Sequence, residues 1–220
     1  MSHQMKVIAV FATSLDGRLG PADVSRFVRI SSDADMEHLM RVRDLADAVL
    51  MGATTFRHYP KPHAGFERDD FPHHCILTRS GRLDFSAELF QQQPSLPVTI
   101  FSPVQAPAQL PEKVSWQTLS ELNQADGGGI LAILGHLQNQ GIKTLLVEGG
   151  GQVFRQFLIA RAVDELYLTL VPRFIGGETS PRLTGFGHAF PEPFPGTTLL
   201  ESWSISDERF FHLAITYDKA

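Results

Sequence analysis

Hydrophobic positions recur along this chain in two rhythms. Unbroken apolar runs rich in branched residues occupy 7–12, 48–51, 75–78, 98–101 and 144–147, the pattern of short strands buried on both faces. Between several of them the spacing turns helical. Ser32 or Asp33 can cap a helix whose Met36, Leu39 and Met40 repeat at three and four residues before the strand at 48. Leu131, Leu134 and Leu137 mark a second helix that stops near Gly141, and a strand over 143–147 follows. A third helix begins at the glycines 149–151 and carries Val153, Phe154, Phe157 and Leu158 on one face. Toward the C-terminus the period becomes two: 165–171, 199–206 and 209–217 alternate apolar and polar side chains, which predicts antiparallel edge strands. The sum is an α/β fold with a mixed, mainly parallel central sheet, helices on both faces and antiparallel C-terminal edges.

No linker or abrupt charge shift divides the chain, so residues 5–217 are read as one domain behind an N-terminal extension, 1–4. Two stretches stay irregular. Residues 58–72 hold three prolines and both signs of charge, and 175–198 hold five glycines, four prolines and three phenylalanines; segments of this kind serve as lids, binding loops or subunit contacts.

Composition removes several classes of function. With 43% hydrophobic and 20% charged residues, the 220-residue chain can bury a full core, which excludes a disordered or low-complexity protein. Nineteen basic against twenty-four acidic residues leave a net charge of −5, the wrong sign for a protein held on nucleic acid by its phosphates. The single cysteine, Cys75, excludes an intramolecular disulfide and a CxxC metal site, and points to a reducing compartment. No 18-residue apolar run and no presequence pattern is visible, so a cytoplasmic protein without a membrane partner is expected.

Candidate chemistry gathers where strands end. In Leu145-Leu-Val-Glu-Gly-Gly-Gly-Gln-Val-Phe154 a buried strand runs into an acid, three glycines and a helix start, where bare N–H groups and the macrodipole attract phosphate. A tight packing turn is the alternative, and the segment has neither the GxGxxG fingerprint nor the P-loop lysine. Ala48-Val-Leu-Met-Gly-Ala-Thr-Thr-Phe56 repeats the arrangement, with Thr54 and Thr55 as plain helix caps or as phosphate ligands. Two such turns at strand tips of one sheet could share a pyrophosphate. Ile76-Leu-Thr-Arg-Ser80 ends a strand in two hydroxyls around a guanidinium, suited to a phosphate monoester or simply solvated. Arg43 continues the spacing of Met36, Leu39 and Met40, so it either snorkels or meets a ligand. Glu148 closes a buried strand, where its carboxylate needs donors from the backbone or from a ligand amino group. Asp16 reads as a structural residue of an Asp-Gly turn. The adjacent His73 and His74 should point to opposite faces of a strand, so no metal site is expected, and no proton donor can be assigned.

Taken in order, Ser14-Leu-Asp-Gly-Arg-Leu, Met51-Gly-x-x-Thr55, Leu77-Thr-Arg79 and Glu148-Gly-Gly-Gly151 resemble the dihydrofolate reductase-like fold. More narrowly, the chain is similar to the pyrimidine reductase of riboflavin biosynthesis, the reductase domain of the bifunctional deaminase-reductase. That family's Arg-x-x-Ala-Asp-Ala-(Ile/Val)-Leu-x-Gly-x-x-Thr is matched by residues 43–55, its Leu-Val-Glu-Gly-Gly by 146–150 and its Val-Asp-Glu-Leu by 163–166. The resemblance implies an NADPH-dependent reductase of the type acting on 5-amino-6-(5-phosphoribosylamino)uracil, which converts the ribosyl chain to ribityl, and a homodimer for which 175–198 is a candidate contact. It places Thr13 by the nicotinamide, and Gly52, Thr54 and Thr55 by the cofactor phosphates. Gly149, Gly150, Gly151, Gln152, Val153 and Phe154 fall along the diphosphate, and Thr78, Arg79 and Ser80 at the adenosine 2′-phosphate. Arg43 and Glu148 match substrate-contacting positions.

The chain departs from the family after Thr55. Phe56-Arg-His-Tyr-Pro-Lys-Pro-His63 replaces Val-Leu-Ala-Asp-Asp-Pro, with Arg57, Lys61 and Arg68 as candidate substitutes for lost phosphate contacts, and the zinc-site cysteines of a deaminase are absent. A dihydrofolate, pterin or small-carbonyl reductase is the nearest alternative. Its pterin-anchoring carboxylate would fall at Met36, and the neighbouring Asp35 and Glu37 are expected to face elsewhere on the helix. The other alternative is a non-catalytic NADPH-binding module.

Overall fold

The apolar runs are the inner strands of a nine-stranded sheet in the computed structural model, which describes residues 5–23, 28–92, 96–124 and 126–217; the predicted extension 1–4 lies outside them. Strands β1 (Lys6–Ser14), β2 (Ala48–Gly52), β3 (His73–Leu77), β4 (Val98–Ser102), β5 (Val114–Thr118), β6 (Thr144–Val147), β7 (Glu165–Val171), β8 (Gly196–Ile205) and β9 (Glu208–Thr216) lie in the order β5-β4-β3-β2-β6-β1-β7-β9-β8. Helices α1 (Asp33–Arg43), α2 (Ala53–His58), α3 (Glu88–Gln91), α4 (Gly128–Asn139) and α5 (Gly151–Ile159) cover it. Alternation along β1 explains the unbroken apolar runs. Val7, Ala9 and Phe11 join a core with α4 and α5, while Ile8 and Val10 join a second core with Val42 of α1 and Phe56 of α2.

Two expectations need correction, and one strand was not foreseen. The strand at 165–171 is not an antiparallel edge: β7 pairs in parallel with β1 from Ile8↔Glu165 to Ser14↔Val171, and only its other side meets the antiparallel β9. Alternation reports one half-covered face, whereas direction is set by the connection, and α5 returns the chain for a parallel entry. Strand β5 was not anticipated. Its Val-Ser-Trp-Gln-Thr is half-exposed at the sheet margin and carries no apolar run. In α4 the buried stripe is Ile130, Ile133 and Leu137, while Leu131 is 57% exposed, because a strict spacing of three drifts around the helix.

The helix that walls the site is fixed at its N-terminal end. Ser32 caps α1 by accepting from the Asp35 N–H, and its own N–H and hydroxyl donate to the buried Glu208 carboxylate of β9 at 2.8 and 2.6 Å. The irregular stretches are shaped by acids. Asp44 accepts from the N–H groups of Phe66, Glu67 and Arg68, and Asp16 accepts from those of Ile175 and Gly176, folding the 175–185 segment onto the end of β1. Among the described residues no helix is long and apolar enough to cross a membrane.

Candidate functional site

Strands β2 and β6 are neighbours, so their glycine turns meet at one end of the sheet. The Gly52 N–H donates to the Gly149 carbonyl at 2.8 Å. Gly149 has φ +112°, where a side chain is strained, and a Cβ there would lie 3.3 Å from the Phe11 ring. A Cβ on Gly52 would press on Val153 at 3.0 Å, and one on Gly150 would meet the Thr55 hydroxyl at 3.4 Å. The two turns therefore pack against each other through backbone. Gly151 has a different reason to be bare, since a side chain would collide with the Arg182 carbonyl of the long C-terminal loop.

A cleft of about 710 Å³ opens over these turns. It is lined by Gly52, Thr54 and Thr55, by Thr78, Arg79 and Ser80, and by Glu148, Gly149, Gly150, Gly151, Gln152 and Val153, so most of the residues singled out in the sequence converge on one surface. Thr13 and Phe154 stand outside that lining. The Thr13 hydroxyl turns into its own loop toward the Ser14 and Arg18 carbonyls, and Phe154 is a core residue against Phe11, with ring centroids 4.8 Å apart.

The donor set suits an anion. Helix α5 has Gly150 as its N-cap and no side-chain cap, and its first residues Gly151, Gln152 and Val153 line the cleft, so its positive dipole end adjoins the opening without a side-chain acceptor. The Thr78 hydroxyl is buried without a hydrogen-bond partner beside the exposed Arg79 and Ser80. Among the described residues no three His, Cys, Asp or Glu side chains are grouped to hold a metal ion.

Directly before the Gly149 turn, the cleft lining depends on a buried ionic cluster. Arg43 donates from Nε to Oε1 and from Nη2 to Oε2 of Glu148 at 2.7 and 2.8 Å, and the two side chains are only 6% and 5% exposed. His63 Nδ1 lies 2.8 Å from Glu148 Oε2, while the Arg43 Nη1 donates to the Ala64 carbonyl. Burial would raise the Glu148 carboxyl, but the Arg43 guanidinium and His63 overcome it and hold the group well below the usual carboxylate range. Arg43 thus stands behind Glu148 and faces an adjoining cavity of about 510 Å³ rather than the main cleft. His63 is in turn fixed from below. Its N–H donates to His74 Nε2 at 2.8 Å, which leaves His74 Nδ1 to donate to the Pro72 carbonyl and makes that ring a neutral tautomer. Burial, helped by His63, pushes the His74 pKa down to about 3.

Sequence reasoning missed two participants. His63 belongs to the proline-rich stretch, which has no periodicity to say which side chain turns inward. Asp35 was expected to face away from the site, yet it lines the main cleft with Met36 and Leu39, because α1 lies along the β1 side of the opening.

Comparison with known proteins gives the same outline. The profile of the RibD C-terminal domain family matches residues 5–208. The curated 2,5-diamino-6-ribosylamino-4(3H)-pyrimidinone 5′-phosphate reductase of Aquifex aeolicus is 26% identical over 184 residues, which is 81% of this chain and 82% of the relative. The structure of Acinetobacter baumannii RibD superposes with a TM-score of 0.79 at 20% identity over 98% of this chain, and the chain spans 59% of the length of that protein. Dihydrofolate reductase from Enterococcus faecalis superposes with a TM-score of 0.52 at 14% identity, covering 99% of this chain and 100% of that one, so the fold is dihydrofolate reductase-like.

Proposed function

Since the chain belongs to the RibD C-terminal domain family, we propose that it is an NADPH-dependent reductase that converts the ribosyl chain of a ribosylamino-pyrimidine 5′-phosphate to ribityl, the substrate class named for its curated relatives. The observation that carries this reading is the meeting of two glycine turns at neighbouring strand tips inside one cleft, with the Gly52 N–H on the Gly149 carbonyl. NADPH supplies the hydride when bound, and the protein has to orient both partners and exclude water. The uncapped start of α5 and the hydroxyls of Thr54 and Thr55 would hold the diphosphate. Thr78, Arg79 and Ser80 would hold the 2′-phosphate, with the unpartnered Thr78 hydroxyl as one ready donor. Glu148 stays ionised beside the Gly149 turn and accepts from the pyrimidine, while Arg43 and His63 act through it by fixing its carboxylate.

A homodimer in the cytoplasm belongs to the same reading. It is supported by the exposed Phe174, Phe186 and Phe194 in and beside the long C-terminal loop.

The test is loss of NADPH absorbance in step with formation of ribityl product, with the 2,5-diamino-pyrimidinone phosphate and with its uracil counterpart. Arg79→Ala should weaken NADPH about tenfold and NADH less than about twofold, as expected for one charge-assisted contact to a group that only NADPH has. Equal losses for the two cofactors would remove the 2′-phosphate assignment.

A further inference from the structure

Turning a ribosylamine into a ribitylamine takes more than a hydride. C1′ of the closed sugar is saturated, so it can accept one only after its bond to the ring oxygen O4′ has broken. The bonding pair leaves on O4′, which needs a proton at that moment. Glu148 cannot give it, because Arg43 and His63 hold its carboxylate ionised, as an acceptor. Of the other side chains lining the main cleft, carboxylates accept, guanidinium groups keep their protons, and serine and threonine hydroxyls are far weaker acids. His58 and Tyr59 remain.

Their surroundings separate them. His58 is engaged within the chain. The Tyr59 hydroxyl makes no hydrogen bond among the described residues and yet is not one of the buried unpartnered polar atoms, so it is open to a cavity. Tyr59 is half-buried and lines both the main cleft and the adjoining cavity, as Arg29 and Met36 do, so the two spaces meet at these residues. Its backbone is fixed where α2 ends, with its N–H donating to the Thr55 and Phe56 carbonyls at 3.1 Å. Its ring meets that of His63 in a T-shaped contact, centroids 5.3 Å apart, and His63 Nδ1 is 2.8 Å from Glu148 Oε2. The phenol thus borders the cluster that fixes Glu148.

Resting on the reductase reading, we propose that Tyr59 is the general acid that opens the ribosyl ring. As the C1′–O4′ bond breaks, its electron pair goes to O4′ and takes the phenolic proton, giving the 4′-hydroxyl, while the lone pair of the amine nitrogen forms a C=N bond to C1′. C1′ then accepts the hydride and the C=N pair returns to nitrogen. The phenolate regains its proton from water, so one hydride and one proton are consumed overall. Tyr59 lies in the stretch after Thr55 where the chain departs from the family pattern, so this donor is a feature of the chain itself.

Tyr59→Phe keeps the ring and removes only the acid. Its test compares two substrates, the ribosylamino-pyrimidinone 5′-phosphate and its 4′-deoxy analogue, which has no 4′-oxygen to close the ring and so needs no proton there. On the first, kcat should fall about a hundredfold or more, as for a positioned general acid. On the analogue kcat should be unchanged, as should NADPH affinity in fluorescence titration, and His58→Asn should turn over both substrates like the wild type. Equal losses on the two substrates would make Tyr59 a structural residue, and a loss confined to His58→Asn would make that histidine the donor; either overturns the proposal. Wild-type turnover that survives Tyr59→Phe sinks Tyr59 alone, whereas a wild-type protein that reduces neither substrate sinks the reductase reading and Tyr59 with it.

Discussion

The two halves of the cleft are built from different materials. Around Gly52 and Gly149–Val153 the surface is backbone, its shape set by glycine turns that follow directly on buried strands. Around Glu148 it is side chain, assembled from Arg43 at a separation of 105 residues and from His63 at 85. Backbone recognition needs only local order, a strand followed by glycine and a helix start. Side-chain recognition here needs three segments to arrive together in a dry environment, so each member depends on the others.

The strongest way to break that contrast is to open the ionic cluster. Arg43→Met leaves a buried carboxylate with His63 alone and should cost about 3–5 kcal/mol in denaturant unfolding, the usual result of removing one partner of a buried pair. Adding Glu148→Leu should recover most of the loss, because no charge is then left uncompensated. If the halves are independent, the double variant should bind NADPH within about twofold of the wild type, since separated sites act additively. A double variant that folds and loses NADPH would show that the glycine half leans on the cluster.

The same contrast explains what could be read from the sequence. The parallel strands and the convergence of Gly52, Thr55, Thr78 and Gly150 were legible because each lies at the end of an apolar run, and strand tips of a parallel sheet share one side. The pairing of Arg43 with Glu148 was not, since burial of Arg43 at helical spacing fits snorkelling and ligand contact equally well and neither alternative names a partner. His63 was hidden by the irregular loop that Asp44 shapes through backbone contacts. Asp35 was misplaced because its facing depends on where α1 lies over β1, a tertiary fact. Strand β5 escaped for a related reason, being a margin strand with no apolar run of its own.

A smaller effect is expected where the backbone half is altered directly. Gly149→Ala forces a side chain onto φ +112° and toward the Phe11 ring, and should cost about 1–3 kcal/mol in stability. It should also reduce NADPH affinity by about tenfold, because the turn that carries the α5 start is displaced. Gly141→Ala is the matched comparison. It too has a positive φ, +84°, but nothing lies within 4 Å of the added Cβ, and NADPH affinity should be untouched. Similar affinities for the two variants in fluorescence titration would mean that the Gly149 turn does not hold the cofactor.

The smallest effect concerns the brace behind the glycine half. Asp16 accepts from the Ser14 hydroxyl and from the N–H groups of Ile175 and Gly176, and these bonds, the Ser14 one foremost, lower its pKa from 3.8 to about 2. The folded carboxyl therefore takes up a proton less readily than the unfolded one. Its contribution is complete above pH 3.8 and fades as pH falls toward 2. The segment it tethers continues to Arg182, whose carbonyl rests against Gly151, so protonation loosens the support of the α5 start. Thermal unfolding across this window should give a Tm difference between wild type and Asp16→Asn that is modest at neutral pH and closes toward pH 2. The depressed His74 adds an acid-sensitive contribution of its own, falling away below pH 6.5, but it is common to both proteins and cancels in the difference. A Tm difference that stays constant through the window would mean that the Asp16 charge does not tie the long loop to the end of β1.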